Sequence, residues 1–179
     1  MSRASAGPRV GILMGSDSDL EVLQEAARVL EALGVSYEMT VASAHRTPER
    51  TRRWVQEAAG RGVRVFIAGA GGAAALPGFV ASETTMPVIG VPMPSVLNGL
   101  DSLLSMVQMP RGVPVATLAI GKPGAANAGI LAAQILAVAD EAVARRLRTF
   151  RDELAREVEA RARKVEAAAR PDPTRGGSA

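Results

Sequence analysis

Residues 10–34 read VGILMGSDSDLEVLQEAARVLEALG, and this stretch decides the fold. Its first part, Val10–Gly15, is apolar without alternation, which is typical of a β-strand buried on both faces. Its second part, Asp19–Leu33, predicts a helix, because apolar residues recur at helical spacing at Leu20, Leu23, Ala27 and Leu30. A buried strand followed by an amphipathic helix is the first half of a βαβ unit.

The same alternation continues along the chain. Four further apolar runs predict buried strands, at Val35–Val41, Val63–Gly69, Pro87–Val91 and Pro114–Ile120. A second, shorter helical pattern covers Glu49–Gly60. Strand–helix alternation predicts an α/β fold with a parallel sheet of about five strands, and right-handed crossovers would place helices on both of its faces.

Short local motifs mark the helix ends. Ser18–Glu21 fits a capping box, and Thr47 followed by Pro48 fits an N-cap with proline at the first helical position. Gly34 is placed to close the first helix as its C′ glycine. We therefore expect these helices to begin directly after short loops at the strand ends.

Length and composition predict one α/β domain over residues 1–166, with its core at 9–140. The chain has 179 residues, of which 47% are hydrophobic and 22% charged, as in an ordinary globular protein. It has no cysteine, which excludes disulfides, thiolate nucleophiles and cysteine-ligated zinc. We find no apolar run long enough to span a membrane and no signal-peptide pattern, so we expect a cytoplasmic protein without membrane contact.

The distribution of charge argues against nucleic-acid binding. The pI is about 10.1, but residues 1–140 hold 11 basic and 11 acidic side chains. The surplus lies in residues 141–179, where 10 basic residues are mixed with 7 acidic ones. A nucleic-acid groove needs clustered cations, usually with aromatic stacking partners, and only 3% of this chain is aromatic.

Residues 141–166 predict a long amphipathic helix outside the sheet repeat. Its apolar stripe consists of Val143, Leu147, Phe150, Leu154, Val158 and Val165. Such a stripe must cover either its own domain or a neighbouring subunit. Residues 167–179 are rich in Ala, Pro, Gly, Ser and Arg and predict a disordered tail.

Polar residues follow the first two predicted strands, at the sheet edge where parallel α/β proteins bind ligands. Ser16, Asp17 and Asp19 follow the first strand, and together with the helix start they could hold a sugar and a phosphate. Ser18 alone is better explained as a helix cap. The second strand is followed by Ser43–Pro48, which contains the only histidine of the chain, His45, beside Arg46.

His45 and Arg46 form the pair with the clearest chemistry. Histidine is the side chain that titrates nearest neutral pH, and arginine can grip a phosphate with its planar fork. We therefore interpret His45 as functional rather than incidental. A metal site is not expected, because one histidine without cysteines leaves only carboxylates as further ligands.

The third strand is followed by a glycine-rich loop, Gly69–Gly78. It matches only the loose form of the dinucleotide fingerprint, with no acidic residue about twenty positions on, and it is not a P-loop. A tight turn needs one or two glycines, whereas three occur here within four residues. The glycines would let the backbone approach a flat ligand closely.

Several segments carry a resemblance to one known family. They are Met14–Asp19 (MGSDSD), Ser43–Pro48 (SAHRTP), Gly69–Ala74 (GAGGAA), Leu76–Gly78 (LPG), Gly99–Pro110 (GLDSLLSMVQMP) and Gly112–Ile120 (GVPVATLAI). In this order they resemble the bacterial 5-(carboxyamino)imidazole ribonucleotide mutases of purine synthesis, over roughly residues 9–140. One position departs from the family pattern: Ala75 stands where the family usually carries histidine.

The resemblance implies a flavodoxin-like three-layer αβα sandwich, and a homo-octamer in which the C-terminal helix packs on a neighbour. It implies conversion of 5-carboxyaminoimidazole ribonucleotide to 4-carboxy-5-aminoimidazole ribonucleotide without ATP, biotin, metal or other cofactor. His45 would be the general acid and base. The ribose phosphate would be held by Ser16, Asp19, Ser43 and Arg46, while Asp17 and Gly71 would line the site.

Three other functions remain open from the sequence. The chain could be a carboxylase that uses free carbon dioxide and aminoimidazole ribonucleotide directly, an alternative that Ala75 keeps open. It could be a related carboxylase of another heteroaromatic substrate. It could also be a non-catalytic nucleotide-binding module in which His45 only contacts the ligand.

Overall fold

The computed structural model describes residues 7–169, and its centre is a five-stranded parallel sheet. The strands are β1 (Val10–Met14), β2 (Tyr37–Val41), β3 (Val65–Ala70), β4 (Val88–Pro92) and β5 (Ala116–Thr117). All neighbouring pairs are parallel, in the order β2-β1-β3-β4-β5. This is the strand order of the flavodoxin-like fold, so the predicted α/β architecture is confirmed.

Six α-helices lie within the described residues. They are α1 (Leu20–Ala32), α2 (Pro48–Arg61), α3 (Leu76–Ser82), α4 (Leu100–Val107), α5 (Lys122–Ala137) and α6 (Glu141–Ala168). One hydrophobic cluster joins the sheet to α1, α5 and the start of α6. A second cluster on the opposite face joins it to α2, α3 and α4. The sheet is therefore covered on both sides, as a three-layer sandwich requires.

The two edge strands differ most from the sequence pattern. The residues of β1, β3 and β4 are all buried, as their continuous apolar runs predict. The side chains of β2 are mostly half-buried, and β5 is only 2 residues long although Pro114–Ile120 was expected to be a strand. An edge strand has one neighbour instead of two, and Pro114 has no N–H to donate to a ladder.

The first helix begins differently from the predicted capping box. The side chain of Ser16, not that of Ser18, accepts a backbone hydrogen bond, from the N–H of Ser18 at 3.3 Å, and it starts a 3-10 turn at Asp17–Asp19. Gly34 closes α1 as predicted: it has a φ of 60°, and its N–H bonds the carbonyl of Glu31. The polar loop after β1 is therefore folded around Ser16.

The C-terminal helix is anchored at its start and exposed further on. Asp140 caps α6 by accepting the N–H groups of Ala142 and Val143 at 3.0 and 3.2 Å. Val143 and Leu147 are buried in the core, whereas Val158 is 60% exposed. The helix ends at Ala168, and the remainder of the predicted tail from residue 170 lies outside the described residues. Within residues 7–169, every helix is too short or too polar to cross a membrane.

Candidate active site

A cavity of about 410 Å³ opens at the carboxyl ends of β1, β2 and β3. Here the chain order reverses, because β1 lies between β2 and β3 in the sheet. Such a switch point is where open α/β sheets bind ligands. The wall contains Gly15, Ser16, Asp19, Ser43, Ala44, His45, Arg46, Ala70, Gly71, Ala74, Ala75 and Leu76. The three strand-end loops therefore meet, as the sequence predicts.

The loop that carries His45 is held by hydrogen bonds between its two ends. Thr47 donates its hydroxyl and its backbone N–H to the carbonyl of Ser43, at 3.1 and 2.9 Å. In return, the Thr47 hydroxyl accepts the N–H of Ser43 at 3.1 Å. The hydroxyl of Ser43 accepts the N–H of Arg46 at 3.2 Å. His45 thus projects from a closed turn, exposed to solvent and on the cavity wall.

Arg46 reaches across from the second loop to the first. Its Nη2 donates to the carbonyl of Gly15 at 3.4 Å. Among residues 7–169, no carboxylate lies within ion-pair distance of this guanidinium. A guanidinium on a cavity wall without a carboxylate partner offers its remaining donors to an anion.

The first loop presents Ser16 and Asp19 to the cavity, but not Asp17. Burial raises the pKa of Asp19, and the negative charge of Asp17 adds to the rise, while hydrogen bonds from Ser16 and Ser18 oppose it. Asp17 is exposed, lies outside the wall and accepts the Ser16 hydroxyl at 3.2 Å. The predicted role of Asp17 in lining the site therefore stays a prediction.

Two glycines of the cavity wall, Gly15 and Gly71, could each carry a Cβ without a clash inside the protein. A Cβ built on Gly71 would meet Met93 Cβ at 3.4 Å, an ordinary contact, and a Cβ on Gly15 would meet nothing within 4 Å. Neither residue has a positive φ. By contrast, a Cβ on Gly69 would lie 2.3 Å from Met93 Cε. Packing explains Gly69, whereas Gly15 and Gly71 leave room for a ligand to approach the backbone.

Some residues of the cavity wall were not predicted as site residues from the sequence. Gly15, Ala44, Ala70, Ala74 and Leu76 line the cavity beside the predicted residues, and Ala75 does so as well. They lie at the ends of strands or in the loops that follow, and this is the signal that could have identified them. Among residues 7–169, the structure brings no three His, Asp or Glu side chains together as a metal-binding group.

Comparison with known proteins gives one consistent result. A family model described as AIR carboxylase matches residues 9–157. The N5-carboxyaminoimidazole ribonucleotide mutase of Thermotoga maritima is 57% identical over 160 residues, covering 89% of this chain and 92% of that protein. The mutase of Pyrococcus horikoshii is 55% identical over 167 residues and covers 93% of both chains.

A solved structure supports the same relationship. The crystal structure of Treponema denticola PurE superposes with a TM-score of 0.79 at 31% sequence identity. The superposition covers 88% of this chain and 98% of the other. Nearly the whole length of that protein is therefore represented in the fold described above.

Proposed function

The chain belongs to the AIR carboxylase family, and we propose that its cavity catalyses the reaction for which its relatives are named. That reaction converts 5-carboxyaminoimidazole ribonucleotide to 4-carboxy-5-aminoimidazole ribonucleotide in purine biosynthesis. It is an intramolecular carboxyl transfer, so the enzyme is an isomerase. The observation that carries the assignment is the meeting of His45, Arg46 and Gly71 on the wall of one cavity at the sheet's switch point.

The nucleotide's anionic end belongs beside Arg46. Its guanidinium can form two parallel hydrogen bonds to a phosphate, and the hydroxyls of Ser16 and Ser43 lie on the same wall. Asp19 is the acceptor suited to the ribose hydroxyls. Asp17 would contact the ligand only if the first loop adjusts, since its carboxylate is exposed outside the wall.

His45 is the proposed proton carrier for both halves of the reaction. In the first half, the imidazolium gives a proton to the exocyclic nitrogen of the carbamate. The N–C bond then breaks, its electron pair stays on nitrogen, and carbon dioxide is released. In the second half, a π-electron pair of the ring forms a bond from carbon 4 to carbon dioxide, and His45 removes the proton from carbon 4. The proton count closes, so one side chain that gives a proton and takes one back is sufficient.

The cavity gives the second half its advantage. If carbon dioxide stays beside the aminoimidazole ring, a bimolecular step becomes effectively unimolecular, which is worth about 7–11 kcal/mol at best. The absence of a side chain at Gly71 lets the backbone of the wall lie close to the flat ring. Residues Ala74, Ala75 and Leu76 continue this wall with apolar side chains.

A cytoplasmic octamer is the finer part of the proposal. Association of subunits is supported by the exposed second half of the apolar stripe of α6, where Leu154, Val158 and Val165 are 44%, 60% and 67% exposed. An apolar groove lies beside the first half of the stripe and includes Ile130, Leu131 and Phe150. Apolar stripes and grooves of this kind are typical of subunit interfaces.

The decisive experiment compares the wild type with His45→Asn. We expect the variant's kcat to fall by at least about 10²–10⁴-fold, because the proton carrier is lost, while nucleotide binding measured by calorimetry stays nearly intact. Equal loss of binding and turnover would instead favour a non-catalytic nucleotide-binding module.

The alternative function, direct carboxylation by free carbon dioxide, is tested with the wild-type protein alone. An ultraviolet assay follows 4-carboxy-5-aminoimidazole ribonucleotide with and without added bicarbonate. A mutase changes the absorbance in both cases, whereas a direct carboxylase responds to the bicarbonate concentration. No absorbance change in either case would contradict the proposed substrate, and a panel of other heteroaromatic carboxylates would then be the next measurement.

A further inference from the structure

Ser102 is a completely buried hydroxyl with long-range partners. It lies on α4 with 0% of its surface exposed. Its Oγ donates to the carbonyl of Met93 at 2.9 Å and accepts the N–H of Gly72 at 3.0 Å. The other residue among the buried polar side chains, Thr51, bonds the carbonyl four positions before it in its own helix region. Ser102 therefore joins three segments of the chain, where Thr51 has only a local bond.

The hydroxyl of Ser102 lies at the end of the ladder between β3 and β4. The ladder between β3 and β4 ends with the pair Ala70 and Pro92, and the N–H of Met93 bonds the carbonyl of Ala70 at 2.9 Å. A regular parallel ladder would continue with a bond from the Gly72 N–H to the Met93 carbonyl. The hydroxyl of Ser102 contacts both of these groups instead. It is inserted where the next rung would be, and it holds the two chains apart.

The inserted hydroxyl lies directly behind the cavity wall. A Cβ built on Gly71 would be 3.9 Å from Ser102 Oγ, so this oxygen supports the wall from its protein side. Ser105, three positions along α4, donates to the carbonyl of Gly72 at 3.2 Å. Helix α4 thus holds both the N–H and the carbonyl of Gly72, whose φ of 64° places it in the left-handed region.

We propose that Ser102 is a positioning residue that keeps the Gly71–Gly72 turn closed over carbon dioxide during carboxyl transfer. This inference rests on the proposed function. Without the hydroxyl, the Gly72 N–H can bond the Met93 carbonyl directly, and the ladder gains one rung. The turn then moves towards β4 and away from the ring, which opens a path for carbon dioxide to leave and for dissolved carbon dioxide to enter.

The test measures how often carbon dioxide exchanges with the solvent. Ser102→Ala and the wild type convert 5-carboxyaminoimidazole ribonucleotide in buffer containing ¹³C-bicarbonate, and mass spectrometry gives the labelled share of the product. The matched control is Thr117→Val. It also removes a hydroxyl that is bonded to α4, because Thr117 donates to the carbonyl of Met106 at 3.2 Å, but Thr117 makes no bond to the Gly71–Gly72 turn.

We expect Ser102→Ala to give a labelled share several-fold above the wild type, with kcat reduced about tenfold to hundredfold and KM little changed. Thr117→Val should match the wild type in labelled share. If the substitution only destabilised the fold, it would reduce the amount of active enzyme and leave the labelled share of the product unaltered. If Ser102→Ala does not fold, Ser102→Cys replaces both hydroxyl bonds with weak ones, so the Gly72 turn loses its fixed position and the labelled share should also rise.

A labelled share equal to that of the wild type in a folded Ser102 variant overturns the inference. An increase of the same size in Thr117→Val overturns it as well, because the turn would then not be the cause. Failure of the wild type to convert the substrate is a different outcome, since it contradicts the proposed function.

Discussion

Gly71 and Gly60 are two glycines that the fold itself does not require. Neither has a positive φ, and a Cβ at either position would meet no atom closer than an ordinary contact. They differ in place, because Gly71 lines the cavity and Gly60 lies near the end of α2. Substitutions at these two positions can therefore separate an effect on stability from an effect on ligand binding.

We expect Gly71→Ala to fold with a melting temperature close to that of the wild type, yet to bind substrate more weakly. The added methyl group would lie 3.4 Å from Met93 Cβ and 3.9 Å from Ser102 Oγ, between the wall and the protein behind it, and would press the backbone at position 71 towards the flat ring. Overpacking of that kind costs about 1–3 kcal/mol, so KM should rise about tenfold to hundredfold. Thermal unfolding and steady-state kinetics measure the two effects.

Gly60→Ala is the control for this prediction. It adds the same methyl group inside a helix, where alanine is favoured over glycine by about 0.8–1.0 kcal/mol, and KM should not change. A Gly71→Ala enzyme with an unaltered KM would mean that the ring does not lie against this wall.

The start of α6 combines a cap with an ion pair. Asp140 caps the helix, and Arg9 Nη1 lies 2.5 Å from Asp140 Oδ2. Hydrogen bonding from the Val143 N–H lowers the pKa of Asp140 below its ordinary value, and the bond from Arg9 lowers it further. A carboxyl group with a lowered pKa stabilises the folded state above its unfolded pKa, and this contribution disappears as the pH falls through the folded pKa.

Asp140→Ala should therefore lower the melting temperature near about pH 7, and the difference from the wild type should shrink towards about pH 2. Asp152→Ala, which removes an exposed carboxylate from the middle of the same helix, should show no such pH-dependent difference. Thermal melts over this pH range measure both. A gap between Asp140→Ala and the wild type that is constant with pH would contradict the role of the ionised carboxylate.

The elements that the sequence predicted well are those with a clear pattern of apolar residues. Strands β1 and β3 are apolar throughout, and helices α1 and α2 carry apolar residues at helical spacing among polar ones. Helix α5 does not, because Lys122–Ala137 is dominated by Ala, Gly, Ile and Leu on all sides, so its periodicity is weak. Helix α3 has only 7 residues and contains Pro77 and Gly78. Local patterns could not identify these two helices.

Those residues of the site that directly follow a strand could be predicted from the sequence. His45 and Arg46 follow a strand directly, so their place at the sheet edge follows from the order of elements. Ser102 could not be predicted, because it acts through the backbone of Gly72, which is 30 positions away in the chain. The capping box at Ser18 was wrong because Ser16, two residues earlier, accepts the N–H of Ser18 and starts a 3-10 turn before α1 begins.

At the scale of the whole molecule, the apolar stripe of α6 has two unequal halves. Val143 and Leu147 contact their own core, whereas Val158 is 60% exposed. A helix presents such a stripe when another surface covers it. The proposed octamer supplies that surface from a second copy of the chain.

We expect Val158→Glu to leave the folded subunit intact and to shift the assembly to smaller species, because a charge at the covered face would have to be buried without a partner. Light scattering after size-exclusion chromatography gives the mass, and circular dichroism checks the fold. Ala160→Glu is the matched control, because it adds the same charge between Arg156 and Lys164 at helical spacing, where it should be tolerated. If Val158→Glu retains the mass of the wild type, the exposed half of the stripe does not form the subunit contact, and the oligomer must be held by another face.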